Sequence, residues 1–531
     1  MRATSTVRGT VLRLTLLVAL MFTALPASAP VTAQDDGGGV MVGAFDAGPG
    51  GCPECFNPLQ ATAGFTWLEK YYSKPLLYNV EMTEIQGELV EDWTISDDGT
   101  VYTFNLRQDV TWHDGEQFTA DDFVFTVNLA KDPESASWIG AKFSDVQEIA
   151  AVDEYTVEMT LGGPSAAILD ALTMLVMLPE HELADIAPAD LIQSDWWKTN
   201  PIGTGPFMWA DYRPGEYVQL DAYDGHFRGR PKLDSLINRY YPEAGSAVIA
   251  LRSGDIQYTY LDADEAMDME GDDAFTILQG PSQVANYLGF DLTDPRFEDP
   301  RVRQAFMYAI DRDAIVEQLY GGNATILSCS LSNENFVGSD LESYSYDPEK
   351  AQQLLDEVGW ADMQGEPIEI VTYYTDQLSN DVMVTMQQYL AEVGINVTLR
   401  FVDTPTFNDL MNGTDGWDIF YGGGGNGPDP DITRPYFTMP EPPEGVNRVR
   451  VDSPEMTDLY AQGLVESDPE ARAAIYQDVC ALQNAELPWA PMWVADRYGA
   501  VSNTVEGFVW NPAPGGGRYY DAAETWTISG Q

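Results

Sequence analysis

A chain of 531 residues with 84 acidic and 27 basic side chains, net charge −57, makes a poor partner for nucleic acid or anionic lipid. That length exceeds one typical domain, so two or three lobes are expected. The only histidines, His113, His181 and His226, lie far apart in sequence, which disfavours a zinc centre.

The first 33 residues read as a signal peptide. Arg2, Arg8 and Arg13 form a basic start, and residues 14–25 an apolar run too short to span a bilayer. Val31-Thr32-Ala33 offers a cleavage site before Gln34; Ala27-Ser28-Ala29 is a second, hindered by Pro30. No cysteine sits at either site, so the common lipid anchor is not supported. No later run approaches 18 apolar residues, so the mature chain is expected to be exported, periplasmic or extracellular, and soluble. It keeps 24 basic against 84 acidic residues, which reads as a solvated surface suited to high salt; attraction of a cationic ligand is the second reading.

Residues 34–39 (QDDGGG) form a flexible tether. Cys52-Pro-Glu-Cys55 has redox-motif spacing, but in an exported chain without a thioredoxin-like unit a small disulfide loop is the better reading. Cys329 and Cys480 are then left as the other pair. Asp97-Asp98-Gly99 signals a turn. The strand expected over Val101–Leu106 puts Tyr102, Phe104 and Leu106 on one face. His113-Asp114-Gly115 is a second turn, with His113 as its brace rather than a general base. Thr119 and Asp122 make a capping pattern for a helix carrying Phe123, Val127 and Leu129.

Acidic residues crowd 262–273 without the spacing of a calcium loop, so a solvated face is expected. Asp299-Pro300 and Asp347-Pro348 each cap a helix with an apolar stripe, and Gly359 closes the second. A helix over 381–393 and a strand over 395–402 follow. Strands and helices alternate to the end, so the class is α/β.

Several ordered segments resemble one family. They include GELVEDWTISDDGTVYTFNLRQDVTWHDGEQFTADDFVFT (87–126), NPIGTGPF (200–207), FRGRPKLDSL (227–236), YLGFDLTDPRFEDPRVRQAFMYAIDRDAIVEQLYGG (287–322) and GWDIFYGGGGNGPDPD (416–431). The chain resembles the family 5 extracellular solute-binding proteins of ABC importers, which include oligopeptide-, dipeptide- and nickel-binding proteins. The resemblance implies a two-lobed periplasmic-binding-protein fold of class II type, with a subdomain inserted in the first lobe. Lobe I would take residues 34–80, 200–286 and 497–531; the insertion, 81–199; lobe II, 287–496. Hinge strands would cross near 287–291 and 496–500.

In peptide-binding relatives a Trp-x-x-Asp-Tyr-x-x-Pro motif follows the GWD-type strand. Its Asp pairs with the peptide amine and its Trp lines a side-chain pocket. Here Gly423 stands at the Trp position and Asn426 at the Asp position. The resemblance then implies a widened cleft and a lost charge-assisted bond, with Asp429 either substituting for the missing carboxylate or acting as a turn residue before Pro430. Phe56 and Asn57 would line the cleft, and the stretch ending at Asn286 would offer backbone to an extended ligand. Trp417, Tyr421, Trp493 and Tyr498 would either stack on the ligand or pack in the core.

No G-x-S-x-G or H-E-x-x-H motif exists, and no carboxylate pair singles itself out, so a secreted hydrolase is the weaker alternative. The favoured function is a non-enzymatic receptor that captures a peptide or other polar solute between the lobes and hands it to an ABC permease and ATPase. It is expected to be a monomer and to need no cofactor. An oligosaccharide ligand, or a sensor or chaperone role for the same fold, are further alternatives.

Overall fold

Period-two alternation makes Val101–Leu106 a strand, with Tyr102, Phe104 and Leu106 inward. It pairs with Val90–Ile95 and Thr156–Leu161, and Val146–Asp153 completes a four-stranded antiparallel sheet. The helix Ala120–Lys131 begins at a capping box made by Thr119 and Asp122, and it buries Phe123, Val127 and Leu129. Trp112, Phe118 and Leu172 pack with this sheet and helix in a hydrophobic core of their own. The computed structural model describes residues 38–44, 56–60, 70–331, 333–413, 416–425, 427–442, 445–466, 468–512 and 519–529. The leader, residues 34–37 of the tether, Cys52, Cys55 and Asn426 lie outside these residues.

A second, 11-stranded sheet organises most of the remaining chain. Its order is Val397–Phe401, Ile368–Thr372, Ile419–Gly425, Phe275–Phe290, Trp489–Ser502, Tyr258–Leu261, Val40–Ala44, Ser235–Arg239, Tyr217–Ala222 and Phe207–Arg213, with Ala324–Ile326 also on Trp489–Ser502. The two longest strands, of 16 and 14 residues, sit in the middle and hold the halves together. One half packs Leu288, Ile370, Met386 and Ile419. The other packs Met41, Phe207, Leu236 and Tyr258. The mixed α/β architecture agrees with a two-lobed fold.

The central pair runs from Phe275↔Ser502 to Gly289↔Trp489, with register breaks between Pro281 and Ala285 and between Asn286 and Tyr287. Gln283 holds φ at 57°, a left-handed conformation that costs a side-chain-bearing residue roughly 1 kcal/mol or more. The ladder is thus irregular ahead of residues 287–291, where the sequence placed the crossing.

Helices Pro300–Ala309 and Pro348–Val358 start where Asp299 and Asp347 cap them, and Gly359 takes φ 73° to end the second. The helix expected from residue 381 begins earlier, at Gln377, because Asp376 caps it by accepting from Ser379 N at 2.9 Å. The following strand is Val397–Phe401. Within the acidic run, Asp262 and Glu265 form a capping box for Ala263–Met269, which buries Ala266 and Met269 and leaves most of its carboxylates in solvent. No helix among the described residues is long and apolar enough to cross a membrane.

His113 braces more than its own turn. Its Nδ1 accepts from Gly203 N at 3.2 Å and its Nε2 donates to Gly205 O at 3.0 Å, so the ring holds the distant GTGPF segment. The Nδ1 bond needs the neutral ring, and burial lowers its pKa to about 4. An unfolded histidine titrates near 6.5, so between these values the unfolded chain takes up the proton first. The stability held above about pH 6.5 is therefore lost as pH falls towards 4, by about 2 kcal/mol after allowance for the exposed ring edge. The stability gap between wild type and His113→Gln should shrink over that interval in urea melts; parallel curves would contradict the assignment.

Candidate functional site

The glycine-rich strand Ile419–Gly425 carries the residues of greatest interest. On one side it pairs along its length with Val284–Phe290 of the central strand. On the other it meets Ile368–Thr372 only at Ile419 and Phe420. Beyond Phe420 that second edge has no strand partner among the described residues. A glycine-rich backbone edge without a strand partner is suited to receive an extended chain.

Around this edge stand aromatic hydroxyls. Tyr373 donates to Gly423 O at 3.4 Å, and Asn286 Nδ2 donates to Tyr374 OH at 3.2 Å. Tyr287 stacks flat on Trp489 at 3.9 Å and meets Phe420 edge-on. Burial raises the pKa of Tyr287, Tyr374 and Tyr421, so these phenols stay protonated and can donate.

Gly423 does not widen the cleft as its sequence position implied. A Cβ there would lie 2.3 Å from Tyr374 OH, 2.9 Å from Val284 Cγ1 and 3.1 Å from Asn286 Nδ2. The space above the glycine is already filled, and Tyr374 supplies the aromatic wall from a neighbouring strand end.

Asp429 is not available to a ligand ammonium in this arrangement. Both of its oxygens accept from Arg472, at 2.7 and 3.0 Å, and Oδ1 also caps Pro430–Thr433 by accepting from Asp431 N. Asp429 and Arg472 side chains are only 9% and 11% exposed, so this is a buried pair. The next carboxylate, Asp431, accepts from Arg434 at 2.9 and 3.1 Å and from Tyr476 OH at 3.2 Å. Burial raises the pKa of Asp431.

The remaining sequence candidates mostly sit in cores. Trp417 is 5% exposed, beneath Arg450 and against Phe420. Tyr421 is buried between Tyr374 and Trp493. Trp493 is fully buried and donates to Tyr320 OH at 3.0 Å. Phe56 packs edge-on against Trp209 and Tyr212. Asn57 accepts from Leu59 N and donates to Leu191 O, which ties its loop to the inserted segment. Tyr498 is buried on the central strand, its hydroxyl without a partner among the described residues. Of the set, Asn286 and Gly423 come together at the edge.

Sequence reasoning missed Tyr373, Tyr374 and Arg472. The two tyrosines follow the carboxyl end of the parallel strand Ile368–Thr372, where open α/β sheets place binding side chains, so a signal existed. Arg472 gave none, lying 43 residues from its partner.

The segment 81–199 meets the helix Pro454–Val465. Ala166 N donates to Leu464 O at 2.8 Å, at the end of helix Pro454–Val465. Asp114, His181 and Glu182 also come together, with ligand atoms within 4.8 Å of one another, and His181 Nε2 lies 2.8 Å from Asp114 Oδ2. These are metal-compatible donors, but all three residues are exposed and His181 already has Asp114 as a hydrogen-bond partner.

Residues 84–441 match the model of the bacterial extracellular solute-binding proteins, family 5. A Brucella melitensis protein carrying the name of an ABC transporter peptide-binding protein is 44% identical over 510 residues, covering 95% of this chain and 96% of that protein. Two solved structures are similar. The Bacillus subtilis oligopeptide-binding protein AppA in complex with a nonapeptide has a TM-score of 0.78 at 25% identity, covering 93% of this chain and all of that one. The Listeria monocytogenes ABC transporter substrate-binding protein CtaP has a TM-score of 0.83 at 26% identity, with the same coverage.

Proposed function

Because the chain belongs to the bacterial extracellular solute-binding proteins of family 5, and so is the solute-binding receptor of an ABC importer, we propose that its solute is an extended peptide. The peptide adds as a strand to the free edge of Ile419–Gly425. That edge, open beyond Phe420 and nearly free of side chains, is the observation that carries the reading. The backbone supplies affinity, and Tyr373, Tyr374 and Asn286 read what lies beside it. The amine end is not read by a carboxylate from Asp429 or Asp431, since both are held by arginines.

Lobe I comprises residues 34–80, 200–286 and 497–531, the insertion 81–199 and lobe II 287–496. The hinge lies at the irregular stretch 281–285, where the ladder is already broken and the cost of bending is small. The Ala166–Leu464 bond belongs to the closed state. The protein acts as an exported monomer, docks on a permease and ATPase, and releases its solute chemically unchanged.

An N-methyl scan of a bound peptide tests this. Methylation should cost tenfold or more in affinity at alternate positions, because alternate amides face the strand edge. Recovered peptide should be intact by mass spectrometry. Uniform tolerance of methylation would refute the edge-addition mode, and cleavage products would refute the non-enzymatic reading.

A further inference from the structure

A cavity outside the glycine-rich strand has no role in the reading above. It encloses about 430 Å³ of empty space, counted out to the solvent at its mouth, between the segment before Leu76–Tyr78 and the C-terminal stretch 519–524. Its wall carries both signs of charge: Lys74 and Arg228 against Glu88 and Glu524, beside the ion pair Lys70–Asp521.

Three features mark this cavity as more than a set of ion pairs. Among the described residues Arg228, with five donors, makes a single long hydrogen-bond contact, Nη1 to Glu88 Oε1 at 3.5 Å, while its planar face lies over Tyr520 at 4.5 Å and Phe227 at 5.0 Å. The guanidinium is thus fixed in plane with most of its fork unspent. Glu88 and Glu524, 8% and 7% exposed, repel one another, and burial raises the Glu88 pKa against the lowering pull of Arg228 and Lys74, with Glu524 adding a smaller raising effect. Tyr72 is 3% exposed and lines the cavity, and beyond the neighbouring Tyr71 its hydroxyl has no hydrogen-bond partner among the described residues. A buried hydroxyl short of partners beside a charged cavity calls for a polar occupant.

We propose that this cavity is a second binding site, for a small zwitterion of the free α-amino acid class. The Arg228 fork takes the carboxylate, and Glu524 with Glu88 takes the ammonium, relieving their repulsion. Tyr72 OH supplies one further hydrogen bond. Neither a simple anion nor a simple cation suits a wall of balanced charge, and a peptide is too long for it.

Titration calorimetry of dialysed protein with L-alanine, acetate and methylammonium tests the proposal. L-alanine should bind saturably, with acetate and methylammonium at least tenfold weaker. Arg228→Gln and Glu524→Gln should each weaken L-alanine binding tenfold or more; Arg228→Lys and Tyr72→Phe, milder changes checked for folding by thermal melts, should weaken it less. Peptide affinity, measured in the same samples, should be unchanged, so failure of the cleft reading would be seen separately. The proposal is overturned by no saturable binding of L-alanine, by acetate binding equally well, by undiminished binding in both charge variants, or by L-alanine displacing the peptide.

Discussion

Asp429→Ala should destabilise the protein by about 3–5 kcal/mol, because it leaves Arg472 buried without its partner. The cost has two parts. The guanidinium loses two charge-assisted bonds, at 2.7 and 3.0 Å, in a site where water cannot replace them. The 3-10 turn Pro430–Thr433 also loses its cap, worth about 1 kcal/mol. Arg472→Met should cost less than Asp429→Ala, since the methionine stem fills part of the volume and Asp429 keeps its cap bond to Asp431 N. In urea melts the double variant should be less unstable than the sum of the two, as expected for direct partners. A folded Asp429→Ala protein of wild-type stability that has lost solute binding would instead make Asp429 a ligand-reading residue.

Cys329 and Cys480 are joined by a disulfide that closes a sequence separation of 151 residues. Loop-closure entropy for a loop of this order predicts about 5 kcal/mol of stabilisation, and removal of native bridges costs about 2–5 kcal/mol. Both cysteines are buried among Tyr460, Tyr476 and Val479, so the bridge anchors helix Pro469–Glu486 to the segment before Leu331. That helix also carries Arg472. A Cys329→Ser/Cys480→Ser protein should melt well below wild type in oxidising buffer, and reductant should lower the wild type towards it. Equal melting temperatures would show that the bridge adds nothing to stability.

These two results depend on one region, and they show where sequence reasoning reached its limit. The helices at Pro300–Ala309 and Pro348–Val358 were legible because cap, first-turn proline and apolar stripe are all local signals. So was Val101–Leu106, whose alternation matches its burial residue for residue. The start at Gln377 was misplaced because Asp376 competes as a cap with a pattern read from later apolar positions. Trp417, Tyr421 and Trp493 left stacking and packing open, since an aromatic residue near a strand end has the same one-dimensional signature in a core as in a cleft. Gly423 was read from what it lacks. Its surroundings depend on Tyr374, which arrives from a different strand.

The sequence by itself determined the α/β class and the family, because each is written in residues close together in the chain. The tertiary structure alone decided which carboxylates are free. Asp429 meets Arg472 across 43 residues, and Asp431, itself buried, is paired with the partly exposed Arg434. Charge availability depends on distance and desolvation in three dimensions, and neither is encoded in local spacing. The same holds for Ile419–Gly425: its glycines read in the chain as low complexity, and that they continue a strand whose far side lacks a strand partner among the described residues is a property of the sheet.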